Sequence, residues 1–340
     1  MATPLPVYAG EDSWFLETWE RPFDYSSPSR MIEYHPLDSA SNKWRICAAY
    51  PHLKDSYWLS VNYGMVEEAK RLGVSLRVVE AGGYPNLARQ IDQVRECTAK
   101  NTDILVVGTV SFEGLTSTLK DIASRIPVVA VVNDIADEGI TAKTGVSWIS
   151  MGRHIGEFLA RAHPKGSAPV RIAWFPGPLG SGWVPFVEDG FRSALVGSSA
   201  EIVTTKYGDT GKEIQLVLIE EALEEWPDID YIVGSAVTAG AAVSVLRAKG
   251  FSERIKVLAD YFTHAVYRGI KRGKILAAPT DFAVVQGRLG IEQAVRVLEN
   301  KLSLKHVGPA IELVETNNVN EIGTYQSLAP ATFTPTFIIE

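Results

Sequence analysis

The chain has 340 residues, 46% of them hydrophobic, with 33 lysines and arginines against 40 aspartates and glutamates and a formal charge of −7. That balance, with no Lys/Arg cluster, argues against a nucleic-acid partner, whose phosphates demand a basic footprint. No apolar run reaches the length of a membrane span, so the chain is not expected to be membrane-embedded, and its length favours two lobes of roughly 100 to 200 residues each.

Residues Met1 to Ser41 carry Trp14, Phe15, Trp19, Phe23 and Tyr34 among prolines and acids. So aromatic an extension is expected to wrap the first lobe and bury those rings, with a partner surface as the alternative. Its start, Met1 to Gly10, has neither a basic n-region nor an apolar h-region, so no leader is expected in the chain as given. A chain whose leader had been removed would look the same.

Arg45 to Tyr50 reads as a strand, and Asp55, Ser56, Tyr57 and Trp58 open the helix that follows it. Leu59, Tyr63, Val66 and Ala69 recur at helical spacing, which predicts a buried stripe and leaves Tyr57 and Trp58 at the helix mouth. One pattern then repeats, an apolar strand-like run followed by an amphipathic helix. Strands are predicted at Ser75 to Val79, Ile104 to Val107, Val128 to Val132, Arg171 to Trp174, Ile202 to Thr205, Tyr231 to Val233, Lys256 to Ala259 and Ile275 to Ala278. Between them, Leu87, Ile91 and Val94, then Leu115, Leu119 and Ile122, then Ile155, Leu159 and Ala162 step at helical spacing. With little sign of hairpins, the pattern predicts an α/β fold of doubly wound parallel sheets.

The first strand–helix series ends at Asn133-Asp134 and a second begins near Met151, which places a short hinge around Thr144 to Ser150. The expected division is an N-terminal extension over 1–42, lobe 1 over 43–146 plus 282–311, and lobe 2 over 147–281 plus 312–340, the last including a C-terminal tail. Hinged lobes commonly close on a ligand, so the ligand is expected between them.

The two cysteines, Cys47 on the first of these strands and Cys97 on the second helix, form no metal pattern. A bridge between them and a pair of buried thiols both remain open. The glycine-rich run from Gly177 to Gly182 superficially suggests a phosphate cradle, but it lacks the Lys-Ser/Thr of a P-loop and a full GxGxxG. Its two prolines also suit a structured loop presenting Trp183. Gly234-Ser235-Ala236 does not continue into a nucleophile elbow, and the six histidines stand singly, so a hydrolase or metalloenzyme is disfavoured and neither a metal nor a cofactor is expected, an enzyme with an undetected site staying open.

What accumulates instead is aromatics in loops at strand carboxyl ends, where open α/β sheets bind ligands. Tyr57 and Trp58 follow the first of the predicted strands, Tyr84 the second, Trp148 lies at the hinge, Trp183 follows a second-lobe strand, and Tyr261 follows Lys256 to Ala259. Asp55, Asp260 and Asp281 add carboxylates on the same rim, although a lone aspartate there is more often a helix cap or a solvated loop residue. Rings and acids together suit a small methylated cation or dipole, because ring faces attract positive charge.

This layout resembles the type I periplasmic binding proteins, the ribose-binding class, over about Lys43 to Leu313; in that family paired aromatics after the first strand stack on the ligand. Where its sugar-binding members generally use Asp, Arg and Asn, this chain has Asn133-Asp134, then Ser181 to Phe186 without an arginine, then Ser235. Tyr261 stands where an aspartate is usual and Asp281 where a glutamine is usual, which points away from a sugar.

Longer runs, WRIC at 44–47, KDSYW at 54–58, NYGMVEEAKRLG at 62–73, VEAGGY at 79–84, AWFPGP at 173–178, GDTGKE at 208–213, PDIDYIVG at 227–234 and ILAAPTD at 275–281, resemble the periplasmic trimethylamine N-oxide sensors of the Tor respiratory system. The resemblance implies a periplasmic, non-enzymatic protein. It also implies trimethylamine N-oxide as ligand, and the periplasmic sensor domain of a histidine kinase as partner, in control of the N-oxide respiratory response. The ligand residues expected from the strand-end aromatics and carboxylates are Asp55, Tyr57, Trp58, Tyr84, Trp148, Trp183, Tyr261 and Asp281. Glycine betaine or choline would satisfy the same rings, and the binding subunit of an ABC importer would share the fold.

Overall fold

The continuous apolar runs of the sequence become interior strands, which in a parallel sheet are covered on both faces and therefore need no polar alternation. The computed structural model describes residues 13–340. The start of the expected extension, including the leader question at Met1 to Gly10, lies outside the described residues. Among those residues, no helix is long and apolar enough to cross a membrane.

In chain order the elements begin with β1 (Trp14–Trp19), β2 (Ser29–Tyr34), β3 (Arg45–Tyr50), α1 (Ser56–Leu72), β4 (Ser75–Glu80), α2 (Leu87–Cys97), β5 (Ile104–Val107), α3 (Thr116–Ala123), β6 (Val128–Val131) and β7 (Ala142–Thr144). They continue through α4 (Trp148–Ala162), β8 (Val170–Gly177), α5 (Val184–Leu195), β9 (Ala200–Tyr207), α6 (Lys212–Glu225), β10 (Tyr231–Gly234), α7 (Ala236–Ala248), β11 (Lys256–Ala259), α8 (His264–Lys271) and β12 (Ala277–Thr280). The chain ends with α9 (Ala283–Leu298), β13 (His306–Pro309), β14 (Glu312–Glu315), α10 (Thr324–Ser327) and β15 (Ile338–Ile339).

The chain forms two units. Unit 1 comprises the chain through Val146, Phe282–Ala310 and Gly323–Glu340; unit 2 comprises Ser147–Asp281 and Ile311–Ile322. In unit 1 a nine-stranded sheet has the order β15-β4-β3-β5-β6-β7-β13-β1-β2. Its centre, β4-β3-β5-β6-β7-β13, is parallel throughout. In unit 2 a four-stranded parallel sheet runs β11-β10-β8-β9, and β12 pairs antiparallel with β14.

Both ends of the unit 1 sheet are antiparallel additions from the chain termini. β1 and β2 pair with each other, and β1 pairs with β13, so the described part of the extension joins the sheet and buries Trp14, Trp19 and Tyr34. Trp19 stacks on His306 at 4.2 Å, the Arg296 guanidinium lies 4.9 Å from the Tyr34 ring centre, and Leu37 N donates to Glu292 Oε1 at 2.9 Å. At the opposite edge the tail departs from its expected place with the second lobe. β15 pairs antiparallel with β4, covering an edge whose N–H and C=O groups would otherwise stay open. The tail is held further by Asn62, whose side-chain amide makes two 3.0 Å hydrogen bonds with the backbone of Thr336.

Helices α1 and α9 pack closely because Gly64 faces the Val284 carbonyl and Gly287 faces the Val61 carbonyl; a methyl group at either position would overlap backbone. In unit 2, α4 and α5 meet by the same device, Gly152 against the Val187 carbonyl and Gly190 against the Ile149 carbonyl. Covered by the sheet, α9 and the tail, α1 buries far more than one stripe. Tyr57 and Trp58 are buried with it, whereas Leu59 and Tyr63 of the predicted stripe are only half-buried. The two cysteines form a disulfide, Cys47 on β3 with Cys97 at the end of α2.

Candidate ligand site

Each unit gathers its aromatics at the carboxyl ends of its parallel strands, the ligand-binding end of open α/β sheets. In unit 1 the loop after β3 delivers Asp55 as the N-cap of α1. Its Oδ1 accepts from Tyr57 N at 3.0 Å and Trp58 N at 3.1 Å, satisfying amides that the helix leaves open. The cap therefore fixes the first turn, and with it both rings; Asp55 Oδ2 lies 3.8 Å from His52 Nε2.

Trp58 is the centre of the unit 1 cluster. Its ring stacks on Tyr50 at 5.6 Å and meets Tyr57 edge-on at 6.0 Å, and its indole N–H donates to the Tyr84 hydroxyl at 3.4 Å. The same hydroxyl accepts from Asn133 Nδ2 at 3.1 Å, and that amide also donates to Thr109 O at 2.7 Å. His52 packs edge-on to Tyr84 at 5.6 Å, and Gln286 Nε2 at the start of α9 donates to the Tyr57 hydroxyl at 3.5 Å.

In unit 2, Trp148 is the first residue of α4, capped by Ser147, whose Oγ accepts from Ser150 N at 3.2 Å. Trp183 immediately precedes α5. Its ring lies 5.4 Å from Trp148 and 5.7 Å, edge-on, from Tyr261, which follows β11. The glycine-rich run is its seat: Gly177 has a φ of +116°, and a Cβ there would fall 2.6 Å from Trp183 Cη2. The phosphate-cradle resemblance of this run thus has a packing explanation.

Asp281 ends the first segment of unit 2, directly after β12, and is buried. Asp260, directly after β11, is fully buried, and no protein donor among the described residues reaches either carboxylate oxygen. Burial pushes its carboxyl well above the usual carboxylate range. Ser235 caps α7, accepting from Thr238 N at 3.1 Å and pairing with Thr238 Oγ1 at 2.7 Å.

Unit 1 thus brings together Tyr57, Trp58 and Tyr84 with Asp55 beneath them, and unit 2 brings together Trp148, Trp183 and Tyr261. His52 and Gln286 were not singled out from sequence, and Asn133 only by its family position. A lone His or Gln carries no pattern, and Gln286 reaches Tyr57 across 229 residues of chain.

The profile of the periplasmic binding protein domain matches residues 46–302. The periplasmic protein TorT of Escherichia coli (strain K12) is 39% identical over 304 residues, covering 88% of this chain and 86% of that protein. The chain belongs to the periplasmic binding protein family, in its TorT group. Among solved structures, TorT in complex with the TorS sensor domain in the presence of TMAO superposes with a TM-score of 0.79 at 42% identity, covering 86% of this chain and 99% of that one. An ABC transporter solute binding protein from Bradyrhizobium sp. BTAi1 with bound Bis-Tris superposes with a TM-score of 0.82 at 44% identity, covering 99% of each chain. Both likenesses cover most of the chain.

Proposed function

We propose that this protein is a periplasmic sensor that binds trimethylamine N-oxide and reports it to the periplasmic sensor domain of a TorS-like histidine kinase, controlling N-oxide respiration. The observation that carries this reading is identity with TorT near 40% over most of the chain, TorT being the protein solved with the TorS sensor domain and TMAO. It acts by binding and catalyses no reaction.

The ligand presents three methyl groups on a positively polarised nitrogen and one strongly accepting oxygen. Ring faces of Tyr57, Trp58, Tyr84, Trp148, Trp183 and Tyr261 suit the methyl side. Tyrosine hydroxyls and indole N–H groups suit the oxygen, so no lysine or arginine is required. Asp55 acts through the cap that orients Tyr57 and Trp58, and Asp281 is assigned to the polar side.

Titration calorimetry with trimethylamine N-oxide, followed by co-purification with the kinase sensor domain, tests the reading. Saturable binding and a stable complex are expected; no heat with the N-oxide and no complex would reject it.

The second reading, the binding subunit of an ABC importer for a small methylated amine, is favoured by the Bradyrhizobium structure, whose Bis-Tris is itself a tertiary amine. A complex with an importer's membrane subunits, and none with a kinase sensor domain, would decide for it.

A further inference from the structure

Among the described residues, Asp260 differs from three other acids that lie wholly or partly inside the protein. Glu68 pairs with Arg71, Glu292 receives Arg296 Nε at 2.8 Å and Leu37 N at 2.9 Å, and Asp134 receives Lys143 Nζ at 2.7 Å. Asp260 is more deeply buried than Asp134 and has no such partner: neither oxygen meets a protein donor among the described residues. An isolated carboxylate in such surroundings costs several kcal/mol or more, and the usual outcome is that the group takes up a proton and becomes neutral.

Its surroundings contain nothing that would restore the charge. The titratable neighbours are Tyr261 and His264 along the chain and Asp281 after β12, the strand packed beside β11, while Arg247 lies in the last turn of α7, which covers β11. Desolvation raises the Asp260 carboxyl, opposed only by the nearby dipole of its own backbone N–H, whose hydrogen bond itself goes to Gly234 O at 2.9 Å. A neutral carboxyl differs from a carboxylate in one respect that matters here, because it carries an O–H donor as well as an acceptor.

The position is equally specific. Asp260 follows β11 at its carboxyl end, adjoining Tyr261, whose ring packs on Trp183 and through it on Trp148. The unit 2 aromatics Trp148, Trp183 and Tyr261 supply ring faces. A strongly accepting oxygen on a ligand seated against these rings requires donors from the same strand ends.

We propose that Asp260 is a ligand-binding residue whose carboxyl O–H donates a hydrogen bond to the oxide oxygen of trimethylamine N-oxide. This deepens, and rests on, the ligand assigned above. It makes Asp260 a specificity residue, because a neutral donor selects the N-oxide over choline or a tetraalkylammonium ion, which carries a full positive charge and no oxide. A buried carboxylate would do the reverse and favour the cation.

The test compares wild type, Asp260→Asn and Asp260→Leu by titration calorimetry with trimethylamine N-oxide and, separately, with choline, and by thermal unfolding without ligand. Asparagine keeps a donor of similar shape, so its N-oxide affinity should stay within about threefold of wild type. Leucine has none and should lose roughly ten- to a hundredfold, the range of one hydrogen bond to a charged or strongly polar group. Leucine also removes an unpaired buried polar group, so the free Asp260→Leu protein should unfold at the same temperature as wild type or higher. A residue kept only for the fold would show the opposite pair of results, a lower unfolding temperature with unchanged affinity.

Wild-type affinity in Asp260→Leu would overturn this inference while leaving the N-oxide reading intact. Equal losses in Asn and Leu, with choline binding tightly to wild type, would show a carboxylate facing a cation and overturn it as well. Failure of the wild type to bind the N-oxide would reject the functional reading, and this inference with it.

Discussion

The indole of Trp58 occupies the space that a side chain at Gly108 would fill: a Cβ at Gly108, directly after β5, would lie 2.8 Å from Trp58 Cζ3. Glycine at one strand end therefore sets the position of the ring delivered from another. Gly108→Ala should push the indole aside, at a cost of about 1–3 kcal/mol in stability for overpacking, and weaken N-oxide binding in the same protein. Trp58→Ala should lose about 2 kcal/mol of binding, roughly thirtyfold, if its face meets the ligand in a desolvated setting. Calorimetry on both variants, with circular dichroism to verify folding, checks the pair; unchanged affinity in a folded Trp58→Ala protein would remove Trp58 from the site.

Ligand class follows from what the strand ends lack. Polyols need several charged or polar groups placed around a ring, whereas the stretch from Ser181 to Phe186, leading into α5, has no arginine and Ser235 is occupied in capping α7. Ribose and galactose should give neither heat in calorimetry nor a shift in unfolding temperature, while trimethylamine N-oxide gives both. Sugar-induced stabilisation would contradict this assignment, and glycine betaine is the sharpest control because it shares the trimethylated nitrogen.

The central architecture was legible because its signal is local. Ile104 to Val107 and Lys256 to Ala259 are apolar runs whose strands match their predicted bounds, and Leu115, Leu119 and Ile122 are buried as their spacing predicts. The predicted aromatics separate into two clusters that sequence order alone could not draw, since Trp58 meets Tyr84 over 26 residues and Trp183 meets Tyr261 over a longer stretch of chain. What was not legible is long-range pairing. Nothing in Ile338-Ile339 names β4 as its partner, and the Trp14–Trp19 strand gives no sign that it will pair with β13. Both depend on open sheet edges that exist only once the parallel core has formed.

The Cys47–Cys97 disulfide spans 50 residues and ties β3, which carries the chain into the Asp55 cap, to α2. Closing a loop of that length restricts the unfolded chain, and its loss should cost roughly 2–4 kcal/mol. Denaturant unfolding of the Cys47→Ala/Cys97→Ala double variant should show a lower midpoint, with a slope equal to or steeper than that of wild type because the unbridged unfolded chain exposes more surface. A midpoint equal to that of wild type would mean that the bridge adds nothing beyond the packing of β3 on its neighbours.

His306 predicts an acid limb in stability. It is buried against Trp19, Tyr25 and Phe23, its Nδ1 accepts from Phe23 N at 3.0 Å, and burial, followed by the Lys143 charge, lowers its pKa to about 2. Above pH about 6.5 the imidazole is neutral in both states; below that, the unfolded chain binds a proton that the folded protein excludes. Stability should therefore fall as pH drops through this window, by about 1.4 kcal/mol per pH unit, or roughly 2 kcal/mol between pH 6.5 and 5. In His306→Gln, which can still accept from Phe23 N, urea unfolding should show a shallower slope over the same range. Parallel pH profiles for the two proteins would assign the acid limb to other groups.

Signalling imposes a thermodynamic condition of its own. A ligand shifts a conformational equilibrium only by its differential affinity for the states involved, and a partner that prefers one state must change ligand affinity by the same factor. If the protein reports N-oxide occupancy to a kinase, the two binding events are coupled. The N-oxide dissociation constant should therefore change at saturating sensor domain, and the sensor-domain constant should change by an equal factor at saturating N-oxide, with a coupling of about 1–3 kcal/mol typical of such systems. Measuring both arms guards against artefact, because unequal factors would indicate a second binding process. Repeating them on a chain lacking Met1 to Ser41 tests the extension as a partner surface. Its β1 and β2 are built into the unit 1 sheet and bury Trp14, Trp19 and Tyr34, so the deletion should mainly lower stability and leave the coupling of the folded fraction unchanged. Coupling lost in a fully folded deletion variant would place the kinase contact on the extension, and identical N-oxide constants with and without the sensor domain would show that the complex does not read ligand through this equilibrium.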